Sequence, residues 1–527
     1  MLLGGWVRPF GAVIWQDLHG DSPTLTWNLW EVTESVLHGR NPYLAGGIYF
    51  PVGGNLTTHN YGPGFLPIAL LARAFLHADP AWPLVAFRAT ICACFALGLF
   101  AGYHALRALG AGTLPSLAAS VAWAFAAFFH GRPFQTHLAA LAFLLPALTL
   151  AVVRLIARPG IGRACVAAAV AGACVYFSEY YAAFLWLALL AGVAFAVLRN
   201  DTRAAVTSIV RALGPSGLAA ATGVFLLAVA PFFWNWFGSD VATLRQEQAY
   251  FESANLAGFV VPDPWTTPLY ASRAVARANA LVRRGVGGSF LFLGVPVVLF
   301  GAVGAFTAER RLRWILVTLA ATFLVLSLGP ELKIFGTNTR LVLPYRALML
   351  VPPFTLARAS ARLAAIGLWP LVCLQAIGLS RACGALARRV SPAAATVLAL
   401  ATLAWSLAEA PAGGPAPSPF PVPEELLHLP PGAVLNVPVS SQDSLAMFLQ
   451  ILHGRPIATG HLSRRSTAQG DHVGRIDQLL RGDAQVFAGE MMRLGIGNVV
   501  VTRGAPEDVV ARLRSTPLHV VDLRRFY

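Results

Sequence analysis

Three acidic side chains stand where an acid is costly to place, and they define the chemistry open to this chain. Asp17 and Asp21 lie in a polar, aromatic stretch over residues 15–61 that also holds Glu31, Glu34 and His59. Glu179 sits at the tip of a hairpin whose flanks, 163–178 and 179–198, are almost free of charge. An acid at a membrane face, packed on apolar spans, is a functional candidate. It could act as a general base, taking a proton from an acceptor hydroxyl within hydrogen-bond reach. A second acid could hold a divalent metal, Mg or Mn. Asp17 and Asp21 are the candidates, since at a spacing of four residues they share a face if helical. Arginines could instead neutralise a departing phosphate. Asp21 also reads as a helix cap, because Ser22-Pro23 follows it and Pro is favoured in a first turn. Capping does not exclude catalysis.

Cationic partners cluster further on. Lys333, Arg340, Arg346, Arg358 and Arg362 fall close together around Leu343-Pro344-Tyr345 and Pro352-Pro353. The guanidinium fork matches phosphate oxygens, while anchoring to lipid headgroups is the plain alternative. Arg346, Arg358 and Arg362, with His59, His137 and Tyr180, are the expected substrate contacts. For each His the bland reading is a satisfied histidine at the membrane interface.

These residues must be positioned by membrane spans. The chain has 527 residues, 56% hydrophobic and 12% charged, about half the charge of a soluble domain. Long apolar runs with so little charge indicate a polytopic membrane protein. They occur at about 82–106, 114–130, 136–156, 163–178, 179–198, 214–237, 288–308, 312–329, 361–380 and 391–410, giving about ten spans. Residues 62–80 read as interfacial. Residues 1–14 are too short to span, so an upstream span is expected to be missing from this sequence. Arginines at 107, 154–163, 199–211, 310–313 and 381–389 fall on alternate connections and mark cytoplasmic turns. The opposite, extracytoplasmic face then holds residues 1–81, Glu179, loop 238–287, segment 330–360 and everything after 410. The excess charge belongs to the membrane part: 11 Arg and 10 acidic residues follow position 410, leaving 28 basic and 14 acidic residues before it. Lipid anchoring explains that excess and nucleic acid does not. The six Cys show no disulfide or zinc spacing.

The expected division is an outer-face N-terminal loop with interfacial helices (1–81), a transmembrane domain (82–410), a Pro/Gly linker (411–423) and an extracytoplasmic α/β domain (424–527). In the last, residues 433–439, 497–502 and 518–523 read as strands, and 444–453 and 505–515 as helices. Its His461 and Asp471-His472 read as surface residues.

Gly20-Asp21 with Trp27-Asn28-Leu29-Trp30, then Gly39-Arg40-Asn41-Pro42-Tyr43 and Tyr49 through Leu56, resembles the first outer loop of bacterial GT-C superfamily glycosyltransferases. Ser178-Glu179-Tyr180-Tyr181 and the run from Leu343 to Arg362 continue the resemblance. It covers residues 15–410, and the tail fits the soluble domain many such proteins append. The resemblance implies an α-helical polytopic GT-C-like fold in the bacterial inner membrane. It implies transfer of a sugar from a polyprenyl-phosphate donor to an envelope polysaccharide, lipid or protein acceptor. The base role falls on Asp21, and Glu179 matches a second acidic position more loosely. The first loop carries a single Gly-Asp rather than adjacent acids, which leaves metal dependence open. The rival reading is a non-catalytic or transporter-like protein that binds lipid or an envelope polymer.

Overall fold

Every apolar run found in the sequence carries a helix in the computed structural model. The model describes residues 13–15, 21–76, 79, 82–130, 135–237, 239, 252–264, 267–284, 291–351, 359–410, 417–419, 422–440 and 443–526. The helices of ten residues or more before the tail are α1 (Asp21–Leu37), α2 (Leu66–Phe75), α3 (Trp82–Ala108), α4 (Thr113–Ala124), α5 (Thr136–Ala157), α6 (Ile161–Ala173), α7 (Glu179–Leu198), α8 (Asn200–Trp236), α9 (Arg273–Val282), α10 (Val295–Thr307), α11 (Arg310–Ser327), α12 (Leu363–Arg389) and α13 (Pro392–Glu409). Among the described residues six helical segments are long and apolar enough to cross a bilayer. They correspond to α3, α5, α7, α8, α12 and α13, and shorter apolar helices pack between them. The chain is a multi-pass membrane protein. Helix α8 is two helices joined at Gly214, whose φ of 61° breaks the ladder before Pro215.

Helix α12 is the most enclosed of the spans. Glycines let its neighbours approach to backbone contact, the usual device where lipid removes the hydrophobic drive between helices. A Cβ on Gly304 of α10 would lie 2.0 Å from Leu374 O, and one on Gly378 of α12 would lie 2.0 Å from Phe300 O. Indole donors pin other neighbours. Trp369 Nε1 donates to Thr149 Oγ1 at 2.8 Å and Trp123 Nε1 to Ala142 O at 2.7 Å.

Strands β1 (Val13–Trp15), β2 (Leu44–Ala45), β3 (Gly54–Asn55), β4 (Glu331–Ile334), β5 (Thr337–Val342) and β6 (Pro417–Pro419) form three antiparallel ribbons, β1–β6, β2–β3 and β4–β5. The tail is a small α/β unit with a parallel sheet in the order β7 (Ala433–Val437), β8 (Ile496–Val501), β9 (His519–Asp522). Its helices are α14 (Ser444–His453), α15 (Thr467–Arg481), α16 (Ala484–Arg493) and α17 (Glu507–Arg514). Alternation along the strands divides the sheet between two cores. Val434, Val500 and Val521 face one shared with α14 and the N-terminal loop. Leu435, Val499 and Val501 face the other, with Ile476, Phe487 and Val510.

The N-terminal loop and this unit interlock. Trp27 Nε1 donates to Gln450 Oε1 at 2.7 Å, and Gln450 Nε2 donates to Gly47 O at 2.8 Å. Backbone bonds run from Tyr49 N to Thr459 O, from Phe50 N to Ile457 O and from Ile457 N to Gly47 O, at 3.0, 2.9 and 2.8 Å. The Tyr49 hydroxyl donates to Gly460 O at 2.7 Å.

Candidate active site

Four helix N-termini meet at one end of the bundle, and each presents a polar side chain there. Asp21 opens α1, with Pro23 in its first turn. Gln135 is the cap residue of α5. Ser178 caps α7, its hydroxyl accepting from Tyr181 N at 3.2 Å, so that Glu179 and Tyr180 begin that helix. Arg362 immediately precedes α12. Each N-terminus adds a partial positive charge and unpaired N–H groups, so their convergence favours an anion. The opposite ends of α5, α7 and α12 carry Arg154 and Arg158, Arg199, and Arg388 and Arg389. These are the arginines from which the sequence reading takes its cytoplasmic side.

Contacts link the four ends. Gln135 Nε2 donates to Asp21 Oδ2, while Asp21 itself stays exposed. Two residues on, His137 is buried and its ring lies 6.3 Å from that of Tyr181. The Arg362 guanidinium lies 5.1 Å from the Tyr180 ring centre, a cation–π pair. The Tyr180 hydroxyl accepts from Ala359 N at 2.9 Å and donates to Ala359 O at 3.1 Å. Asp21 and Glu252 both lie within electrostatic reach of Arg362. Arg362 and Arg464 both act on Glu179. Arg362 is only 7% exposed, and among the described residues neither its Nε nor Glu179 Oε1 has a hydrogen-bond partner.

Of the residues expected from sequence, the fold gathers Asp21, Glu179, Tyr180, His137 and Arg362. His59 has another setting. It is buried, Ser463 N donates to its Nδ1 at 3.1 Å, and its ring lies 6.4 Å from that of His461. It fastens the first loop to the tail. His461, expected at the surface, is half-buried, its Nδ1 2.9 Å from Ser444 Oγ. Arg346 is exposed on the short helix Tyr345–Leu348, and no described contact joins it to Glu179 or Arg362. Asp17 and Arg358 lie outside the described residues. Among the described residues no three His, Cys, Asp or Glu side chains gather in a metal-holding group, so the Mg or Mn expectation rests on Asp17. Glu31 is buried inside α1, where its carboxylate accepts from Ser35 Oγ at 2.9 Å and burial pushes its pKa up. Its role there is internal to the helix.

Sequence reasoning missed two residues of this region and a buried arginine in α3. Gln135 carries no charge to draw notice. Arg464 lies in the tail, far along the chain from the spans. Arg88 is 1% exposed in the second turn of α3. A lone Arg inside the run 82–106 was its available signal.

A family model described as a domain of unknown function (DUF6311) matches residues 66–405. No curated protein matches the sequence. Among solved structures, the arabinofuranosyltransferase AftD from Mycobacteria aligns with a TM-score of 0.58 at 17% identity, over 98% of this chain and 37% of that one. The archaeal oligosaccharyltransferase AglB from Archaeoglobus fulgidus, in complex with an inhibitory peptide and a dolichol-phosphate, aligns with a TM-score of 0.49 at 13% identity, over 95% of this chain and 69% of that one. The likeness to AftD is one of fold, GT-C-like. The chain spans 37% of that protein's length.

Proposed function

We propose, for a chain that belongs to the DUF6311 family, a membrane glycosyltransferase acting at the extracytoplasmic face. It moves a sugar from a polyprenyl-phosphate donor to a cell-envelope acceptor. The observation that carries this reading is the exposed Asp21 carboxylate, held by Gln135 within electrostatic reach of the buried Arg362. A base open to an acceptor and a cation set back beside it are the two charges that glycosyl transfer from a phosphate needs. The likeness of fold to an arabinofuranosyltransferase supports the same reaction class.

In this reading Asp21 accepts the proton of the acceptor hydroxyl as that oxygen bonds to the anomeric carbon. The bond from that carbon to the phosphate oxygen breaks, and the phosphate leaves with the electron pair. Arg362 and the helix N-termini offset its charge. Tyr180 stacks against the guanidinium of Arg362, and Glu179 lies within its electrostatic reach. His137 and Tyr180 are the proposed substrate contacts nearest this centre.

The test is transfer from a polyprenyl-phosphate sugar by the purified chain. Asp21→Asn is isosteric and should lower turnover by roughly 10²–10⁴-fold with unfolding unchanged. Full activity in that variant would remove the base from the reading.

A further inference from the structure

The parallel sheet of the tail reverses its direction of winding at β7. Ile457 bridges Val434 in parallel on the edge of β7 opposite β8, with Ala458 N donating to Val434 O and Val434 N to Pro456 O, both at 2.8 Å. The chain therefore steps to one side of β7 after α14 and to the other after α16. Thr502 N donates to Val437 O at 2.8 Å and joins the carboxyl ends of β7 and β8. In sheets of this kind ligands bind outside the carboxyl ends of the strands, beside that reversal. A cleft of about 650 Å³ opens there, within the range of about 300–1,000 Å³ usual for small-ligand sites. Arg503 and Gly504, which follow β8, line it together with Asp522, Arg524 and Arg525 at the end of β9. Gly504 turns the chain with a φ of 93°, and a Cβ on it would lie 4.0 Å from Pro438, just past β7. None of the residues of the candidate active site lines this cleft.

Its charges are ordered in two tiers. Below, Arg524 grips Asp522 with two bonds, Nε to Oδ1 at 2.9 Å and Nη2 to Oδ2 at 2.7 Å, and Arg514 Nη2 donates to the same Oδ2 at 2.8 Å. Above, Arg503 is exposed and no described contact holds it. The Arg525 side chain, 72% exposed, lies over the Phe526 ring and 3.7 Å from Glu425. An exposed ion pair of that kind contributes at most about 1 kcal/mol, so an incoming anion can replace it. Four arginines face two carboxylates, Asp522 and Glu507. Guanidinium forks match carboxylate and phosphate oxygens, and the two carboxylates can accept from hydroxyl groups. Among the described residues no aromatic or large aliphatic side chain lines the cleft, so nothing in it stacks a base or receives an acyl chain. Acid groups and hydroxyls together, without an apolar part, describe an acidic saccharide.

We infer that the carboxyl end of the tail's sheet is a binding site for an acidic saccharide, whose anionic groups Arg503 and Arg525 engage above the fixed pair of Arg524 and Asp522. This site stands apart from the proposed transfer and does not depend on it.

The experiment measures binding of trigalacturonate, mannose 6-phosphate and neutral maltotriose to the full chain in nanodiscs of phosphatidylcholine. The wild type should bind at least one of the two acidic probes, which tells carboxylate from phosphate, and should not bind maltotriose. Replacing Arg503 and Arg525 together by Ala should weaken that binding by about ten- to a hundredfold, and replacing both by Lys should recover part of the loss. Arg503→Ala alone serves if the double variant does not fold, and should lose about half as much on a logarithmic scale. Arg481→Ala, an exposed arginine of α15 outside the cleft, should bind as wild type. Binding of neither acidic probe, equal binding of maltotriose, or unchanged binding in the double variant overturns the inference. Displacement by inorganic phosphate at the same concentration would reduce the site to one for free oxyanions and overturn the saccharide. Binding to phosphatidylglycerol vesicles with the same dependence on Arg503 and Arg525 would overturn it in favour of a lipid surface.

Discussion

The side-chain amide of Gln135 donates to the Asp21 carboxylate, joining the first turn of α1 to the cap of α5. Nothing else described holds Asp21, which is otherwise exposed. Gln135 therefore sets where the proposed base points, and it acts through Asp21. Gln135→Glu removes the donor and places a like charge beside the acid. We expect turnover to fall by about ten- to a hundredfold while KM for the lipid donor stays within about twofold. Steady-state kinetics with both substrates varied checks this. An unchanged turnover number would mean that the hydrogen bond has no bearing on catalysis.

The loop and the tail are tied through Gln450, which accepts from Trp27 and donates to Gly47 O and, at 3.1 Å, to Arg455 O. Gln450 is 2% exposed and Trp27 fully buried. Gln450→Leu keeps the size but strands a buried indole N–H and the Arg455 carbonyl, while Gly47 O keeps its bond from Ile457 N. Leaving such groups unpaired costs about 1–3 kcal/mol each, so a loss of at least about 2 kcal/mol is expected. Thermal unfolding in detergent, read alongside protease cutting near the linker, should show the tail loosening first. Unchanged unfolding would mean that the tail is held by apolar contact alone.

Close helix approach gives a third prediction. A methyl group at Gly378 would lie 2.0 Å from Phe300 O and 2.5 Å from Gly304 N, both backbone atoms that no side-chain rotation can move. Gly378→Ala must therefore push α10 and α12 apart, at a cost of about 1–3 kcal/mol. Gly223→Ala in α8, where a Cβ meets nothing within 4 Å, is the matched control and should be neutral or slightly stabilising. Equal unfolding temperatures for the two variants would contradict the packing.

These contacts also show how far the sequence could be read. The spans were legible because hydropathy is local: helices stand at Trp82–Ala108, Glu179–Leu198 and Pro392–Glu409, close to the apolar runs. In the tail the three strands were legible from their β-branched runs. Helices α15 and α16 were not, since Gly470, Gly474 and Gly489 interrupt polar segments. At the site, Asp21, Glu179 and Arg362 were visible because each starts an apolar helix and is charged. Gln135 shares that placement but lacks the charge. Arg464 and the burial of His59 come from a contact between distant segments, across the interface of first loop and tail. No periodicity within either segment encodes that meeting.

The tail carries a pH-sensitive residue away from the site. His453 ends α14, its Nδ1 accepts from Arg455 N at 3.0 Å, and its Nε2 is buried without a hydrogen-bond partner among the described residues. Burial, with the Arg455 charge adding, pushes its pKa down from 6.5 to about 3. A depressed histidine pKa means that the folded state binds the proton later than the unfolded chain. Its contribution is therefore complete above the unfolded value and is lost as the pH falls through 6.5 toward about 3. Between roughly pH 7 and pH 5 the unfolded chain gains protonation free energy of about 2 kcal/mol that the folded histidine does not share. His453→Asn supplies an amide oxygen for Arg455 N and cannot titrate. Its unfolding temperature should depend less on pH than that of the wild type over this interval, and the two curves should draw together on acidification. Parallel curves would show that His453 protonates as readily in the folded protein as in the unfolded chain.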